Sequence, residues 1–223
     1  MLERRSDRDL QQRILRELKW DSRISWASIN VEVDDAVATL SGSVSSYAHK
    51  VAAQEAAHRV LGVLDVANDI EVNPIQGFVR SDTELARAVR SALEWDALVP
   101  DDQIQSTVSD SWVTLEGEVN NGRERTDAEK AIRRLTGVVG VINKIAVRKQ
   151  PVNEDQLREE IEDALETRAD RETGRLKIEV HDGTVDVRGR VHSWQERRAV
   201  LGSISHARGV TQVRDHLRID PYF

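Results

Sequence analysis

Apolar residues along the chain follow a succession of two rhythms, and the succession occurs three times. Leu10, Ile14 and Leu18 fall every fourth residue among charged ones, and Leu85, Val89, Leu93 and Leu157, Ile161, Leu165 repeat that spacing. A stripe at this period predicts an amphipathic helix with one buried face. Ser6, Ser81 and Asn153 stand where its N-cap belongs, and Ser81 with Glu84 has the form of a capping box. The rhythm then changes to strict alternation: Ile29, Val31, Val33; Ile104, Ser106, Val108; Leu176, Ile178, Val180. These are strands with one face inward.

Turn residues come next, Asp34-Asp35, Ser109-Asp110 and His181-Asp182-Gly183, and then a second alternating run. That run passes through Ala38, Leu40 and Val44, then Val113, Leu115 and Val119, then Val185, Val187 and Val191. Two strands across so short a turn predict a β-hairpin. A second helix is expected to begin at Ser46, Asn121 or Ser193, with Asn121 to Glu124 and Ser193 to Glu196 again at capping-box spacing. A third strand, from Val66, Val141 or Val213, closes each unit.

The register between units is tight. Gly42 and Gly62, Gly117 and Gly137, and Gly189 and Gly209 are each 20 residues apart. Leu10, Leu85 and Leu157 each stand 32 residues before the first of these glycines, and Asn68, Asn143 and Asp215 each stand 26 after it. Spacing kept three times without an internal gap defines a repeat of one folded unit. The expected fold class is α+β: three tandem α-β-β-α-β repeats over residues 1–75, 76–150 and 151–223, each a three-stranded mixed sheet packed on two helices. The six glycines read as structural, the second of each pair as a left-handed residue at a helix end. Short linkers, Asn73 to Gly77 and Arg148 to Pro151, predict copies packed as a compact chain or arc.

Charge and composition narrow the functional classes. The 223 residues carry 32 Lys and Arg against 39 Asp and Glu, for a net charge of −7. By copy the charges are −3, −1 and −3, so none is basic and nucleic-acid binding is not expected. There is no Cys, and no apolar run approaches a membrane span. The start, Met1-Leu2-Glu3-Arg4-Arg5, has no signal core. With Met1 as the native start the expected location is the cytoplasm, and a periplasmic one requires another start.

Thr39-Leu40-Ser41-Gly42-Ser43-Val44 followed by Gly62-Val63-Leu64-Asp65-Val66-Ala67-Asn68 resembles the BON domain, a bacterial domain of osmotically inducible and nodulation-associated proteins. The second copy resembles it most closely, with Val113-Thr114-Leu115-Glu116-Gly117-Glu118-Val119 and Gly137-Val138-Val139-Gly140-Val141-Ile142-Asn143. The third is looser and has Asp215 for the asparagine. The resemblance covers nearly the whole chain. It implies attachment to phospholipid membranes or to other proteins, an osmotic-stress setting, and no catalysis.

Candidate chemistry is sparse. No G-x-G-x-x-G or P-loop occurs, so the glycines do not form a phosphate cradle. The six histidines form no metal-binding spacing and none recurs at one position in all copies. No catalytic constellation, metal or cofactor is expected. The tryptophans are more informative. Trp20 and Trp95 occupy one position in copies one and two, where copy three has Thr167, and Trp26 precedes the first strand. Tyr47 and Trp194 open the second helix of copies one and three. Aromatics with a polar tip suit a bilayer or protein interface, and these five are the candidate contacts. The competing reading is that Trp20 and Trp95 seal thin cores or lie between copies, since the chain has only two Phe. Arg123, Arg125, Lys130, Arg133 and Arg134 cluster on one helix but interleave with Glu124, Asp127 and Glu129, as an ion-paired face does. The expected function is a stress-associated, non-enzymatic adaptor docking on phospholipid membrane or a protein partner. The alternative is a small-ligand or ion-responsive module using clefts between repeats. Nothing in the sequence specifies an oligomeric state.

Overall fold

In a computed structural model describing residues 6–74, 80–168 and 176–221, each copy has the α-β-β-α-β order. The linker stretch 75–79 and residues 1–5 lie outside the described residues. Copy one comprises α1 (Asp7–Trp20), β1 (Ile29–Asp34), β2 (Val37–Val44), α2 (Tyr47–His58), β3 (Asp65–Asn68) and β4 (Glu71–Val72). Copy two comprises α3 (Asp82–Trp95), β5 (Ile104–Ser109), β6 (Trp112–Val119), α4 (Gly122–Ile132), β7 (Gly140–Asn143) and β8 (Ala146–Val147). Copy three comprises α5 (Glu154–Arg168), β9 (Leu176–His181), β10 (Thr184–Val191), α6 (Trp194–Ser205) and β11 (Gln212–Ile219). The middle strand pairs antiparallel with its hairpin partner and parallel with the last strand, so each sheet is mixed.

The inward stripes do what their period requires. Leu10, Ile14 and Leu18 are buried with Ile29, Val31, Ala38, Leu40 and the alanines of α2, and equivalent clusters form separately in the other copies. Caps hold the helix starts: the Ser6, Ser46, Ser81, Asn121 and Ser193 side chains each accept from a backbone N–H of the first turn. Ser81 and Glu84 close a full capping box. Glu124 and Glu196 instead reach one residue further back, to the N–H groups of Asn120 and His192.

The hairpin turns carry positive φ at Asp35 and Ala36, Asp110 and Ser111, and Asp182 and Gly183. Their N–H groups donate to an acid at the start of the copy's first helix. Ala36 donates to Asp7, Asp110 and Ser111 to Asp82, and Asp182 to Glu154. One carboxylate thus sits at a helix N-terminus, where the dipole favours it, and also pins the turn.

Two expectations are corrected in detail. Gly62, Gly137 and Gly209 have positive φ, but they lie four or five residues beyond the helix ends at His58, Ile132 and Ser205. The helices finish on right-handed caps, and the glycines serve the following turn, closed in copy one by Val63 N–H to Val60 O. The third strand is also interrupted in copies one and two. Asn68 turns its amide to the Lys50 carbonyl and accepts from Ile70 N–H, and Asn143 does the same with Arg125 and Ile145. In copy three Asp215 pairs with Arg197 at 2.6 Å, and β11 runs unbroken.

The copies close into a ring of like contacts. The first residue of each second helix meets the end of the second helix in the next copy. Tyr47 packs on the core of copy two beside Arg133, whose guanidinium also lies 3.6 Å from Glu55. A Cβ on Gly122 would come 2.5 Å from the Ser205 carbonyl oxygen. Trp194 stacks on His58 at 4.1 Å and donates its N–H to the Leu64 carbonyl at 3.1 Å. Positions 47, 122 and 194 are equivalent, as are 58, 133 and 205, so each copy uses the same pair of sites toward its successor and the third returns to the first. This heterologous contact closes because the rotation it generates returns after three steps.

Candidate functional site

The five candidate aromatics divide into two groups. Tyr47 and Trp194 are half-buried in ring joints, where their rings fill space between copies. Trp194 is held on its other side by Arg197, 4.5 Å from the ring centroid. Trp20 and Trp95 are the opposite case, 89% and 88% exposed at the last residues of α1 and α3. They neither seal a core nor lie between copies. Trp26, 42% exposed, sits in the 3₁₀ turn Trp26–Ser28, which Asp101–Gln103 matches in copy two, with the Lys19 ammonium 5.4 Å from its ring. Trp112 is a further exposed tryptophan, beyond those five. It covers Gly140 across the sheet and lines a cleft with Asn68 to Asn73 of copy one.

Local sequence explains why the two helices end by presenting a Trp. The stripe Leu10-Ile14-Leu18 places position 20 away from the core, and Asp21 then leaves the helix in an extended conformation. Its carboxylate accepts from Arg23 N–H at 3.1 Å, and Asp96 accepts from Leu98 N–H at 3.0 Å. Each is an Asx turn that terminates the helix after the tryptophan. Leu98 is itself 57% exposed, so Trp95 has an apolar neighbour in sequence that Trp20 lacks.

Around Trp20 the surface is ionic. Arg59 bridges Glu17 at 2.7 Å and Asp21 at 2.8 Å, and Arg23 joins Asp21 at 2.7 Å and Glu55 at 3.4 Å. The Arg23 guanidinium, with Arg59 beside it, holds the Asp21 carboxyl well below the usual carboxylate range against the opposing effect of burial. Copy two keeps the frame and changes the charges: Ala92 stands for Glu17 and Leu98 for Arg23.

His58 is a buried titratable group at the joint between copies three and one. Only 8% exposed, it has neither ring nitrogen hydrogen-bonded among the described residues. Burial pushes its pKa down to about 4, assisted by Arg198 and Arg197 against Asp65 and Glu55. Among the described residues, no group of three or more His, Cys, Asp or Glu is placed to hold a metal ion.

Three repeated α+β units, two of which present an exposed tryptophan at one equivalent position, close into a ring and define a tandem-repeat protein. The BON domain family model matches residues 6–74, 81–149 and 153–221, and the chain belongs to that family. It is 31% identical over 124 residues to Osmotically-inducible protein Y of Escherichia coli (strain K12), across 54% of this chain and 62% of that protein. The chain thus matches somewhat under two thirds of that relative's length. Among solved structures, CdsD, a structural protein of the type III secretion system of Chlamydia trachomatis, aligns over 95% of this chain and 92% of its own at 10% identity, with a TM-score of 0.28. The CdsD C-terminal domain aligns over 97% of this chain and 100% of its own at 11% identity and a TM-score of 0.27. Likenesses at that level carry no argument.

Proposed function

We propose that the protein is a non-enzymatic, stress-associated docking protein that attaches peripherally to phospholipid membrane through Trp20 and Trp95. The observation that carries this reading is the near-complete exposure of two tryptophans at equivalent positions, 89% and 88%. A Trp side chain can bury about 150–250 Å². At about 25 cal/mol per Å², each ring forgoes on the order of 4 kcal/mol of apolar transfer by standing in water. Such a cost kept twice at one place in the repeat favours a binding role, because an amphipathic ring gains most at a bilayer interface. Family membership and the osmotically inducible relative support the setting. No described helix is long and apolar enough to cross a membrane, which makes the proposed attachment a surface one.

The net charge of −7 favours binding that rests on the tryptophans rather than on bulk attraction to anionic lipid. Flotation with phosphatidylcholine and phosphatidylglycerol vesicles tests the reading. The wild type is expected to float with little dependence on salt, and Trp20→Ala with Trp95→Ala to remain in the dense fraction with an unchanged thermal melt. Flotation of that double variant like the wild type would overturn the proposal. Collapse of wild-type binding between low and physiological salt would transfer the role to basic residues.

One observation favours a second reading. A cleft of about 1160 Å³ lies between copies three and one, bounded by Asp7, Asp35 and Leu64 on one side and Arg190, Arg218 and Asp220 on the other. A small polar ligand there would clamp the ring joint, and would be detected as a rise in melting temperature with added solute.

A further inference from the structure

We infer that the groove between α3 and α4 of the second copy docks an acidic, apolar segment of a partner protein. This goes beyond membrane attachment, although the two surfaces share Trp95. The groove is an open depression of about 520 Å³ whose apolar lining includes Ala92, Trp95, Leu98 and Ala131. Asp127, Lys130 and Arg134 stand along its α4 side, and Asp96 follows Trp95 in the lining. Trp95 and Leu98, both exposed, form its walls without touching a core.

The first copy shows what fills the same frame. There Arg59 is paired by Glu17 and Asp21, and Arg23 lies across toward Glu55. The equivalent of Arg59 is Arg134, which has no hydrogen bond or ion pair among the described residues. Of the two acids that pair Arg59, one is lost, since Glu17 has become Ala92. Asp96 keeps the place of Asp21, with one carboxylate oxygen on the Leu98 N–H, and makes no ion pair with Arg134. The other cations are engaged. Lys130 donates to Asp127 at 2.9 Å, and Arg123 lies 3.4 Å from that same carboxylate. The groove therefore combines an exposed guanidinium that lacks the ion pair Glu17 gives in copy one with an uncovered apolar floor. The chemistry that completes it is a carboxylate for Arg134, in the place Glu17 takes in copy one, next to an apolar side chain seated between Trp95 and Leu98. An amphipathic acidic helix presents both at i, i+3 and i+4 spacing. Arg favours planar bidentate pairing with carboxylate, which gives the contact its charge preference.

The experiment uses the full chain and a fluorescein-labelled helical peptide of Leu, Ala and Glu, with a control in which every Glu is Lys. Anisotropy is expected to show binding of the acidic peptide and not of the basic one. Arg134→Ala is expected to weaken it by about tenfold, the loss of one charge-assisted pair. Ala92→Glu with Leu98→Arg copies the closed groove of the first copy and is expected to abolish peptide binding while leaving vesicle flotation intact, since Trp95 is kept. Should that double variant melt lower than the wild type, Arg134→Ala decides alone. The inference is overturned if neither peptide binds, if both bind alike, or if the groove-closing and Arg134 variants bind as the wild type does. Loss of flotation in the groove-closing variant with peptide binding unchanged would also overturn it, by assigning the groove to lipid. Loss of flotation in the Trp variants alone bears only on the membrane proposal.

Discussion

Replacing Trp194 by Ala tests the ring directly, because that side chain makes the one joint not also bridged by a short linker. The indole is half-buried, stacked on His58 at 4.1 Å with 17° between the rings, and hydrogen-bonded to the Leu64 carbonyl at 3.1 Å. Half of a tryptophan's typical burial is about 100 Å², or roughly 2.5 kcal/mol of transfer. The aromatic stack contributes about 1 kcal/mol and the hydrogen bond about 1 kcal/mol more. Relaxation of Arg197 and His58 into the space recovers part of this, so the expected loss is about 3 kcal/mol. For a chain of this size that corresponds to roughly 6–12 °C in melting temperature if the three copies unfold as one unit. Calorimetry should register the fall, and the ring makes a sharper demand: the single transition should divide as copy three separates from copy one. Small-angle scattering should show a larger radius of gyration, since the end copies then remain joined only through copy two. Trp194→Phe keeps a stacking ring and loses the N–H, so its loss should be nearer 1 kcal/mol. A Trp194→Ala protein with an undivided melt, an unshifted midpoint and an unchanged radius would refute the ring joint as an energetic contact.

Two further outcomes are expected. Gly117 has φ of +138°, and a Cβ there would penetrate the Gln103 carbonyl oxygen of the preceding 3₁₀ turn, so Gly117→Ala should destabilise copy two by about 2–4 kcal/mol in a chemical melt; a midpoint equal to the wild type would contradict the close approach. His58 titrates near 4 when folded and near 6.5 when unfolded, so unfolding takes up a proton between those values and stability should fall by about 2–3 kcal/mol as pH drops from about 6.5 to 4. His58→Phe keeps a ring against Trp194 and should remove that part of the slope; an identical pH profile would mean that other groups carry it.

The repeat, the element order and the inward faces were legible in the sequence because each depends on local periodicity. Leu10, Ile14 and Leu18 can satisfy their spacing in only one way, and so can the alternation from Ile29 to Val33. The function of Gly117 was less legible. Its structural nature could be read, but the atom it makes room for, the Gln103 carbonyl, belongs to a turn with no sequence signature of its own. The tryptophans were hardest. A small unit with little Phe points to Trp20 and Trp95 as core seals, yet Leu, Ile, Val and Ala fill each core without them. Tyr47 and Trp194 carry the same aromatic signal as Trp20, but their partners lie in other copies. The available clue was covariation between repeats: Tyr47 opposite Arg133, Gly122 opposite Ser205 and Trp194 opposite His58 pair large with large and small with small.

That size matching also bears on how the exposed tryptophans can act. A closed ring built from one repeated joint places equivalent positions at the same height around its axis. Trp20 and Trp95 therefore share a rim, and the third place on it is occupied in sequence by Thr167. Two anchors define an edge rather than a plane, so a bilayer contact through them leaves the chain free to tilt about the line joining them. The ionic cover of Glu17, Asp21, Arg23 and Arg59 next to Trp20 and the bare groove next to Trp95 make the two ends of that edge chemically unequal. A partner seated against Arg134 would supply a third point of contact and convert a tilting attachment into an oriented one. Combining the two contacts would raise overall affinity through effective concentration, without any new contact at either site.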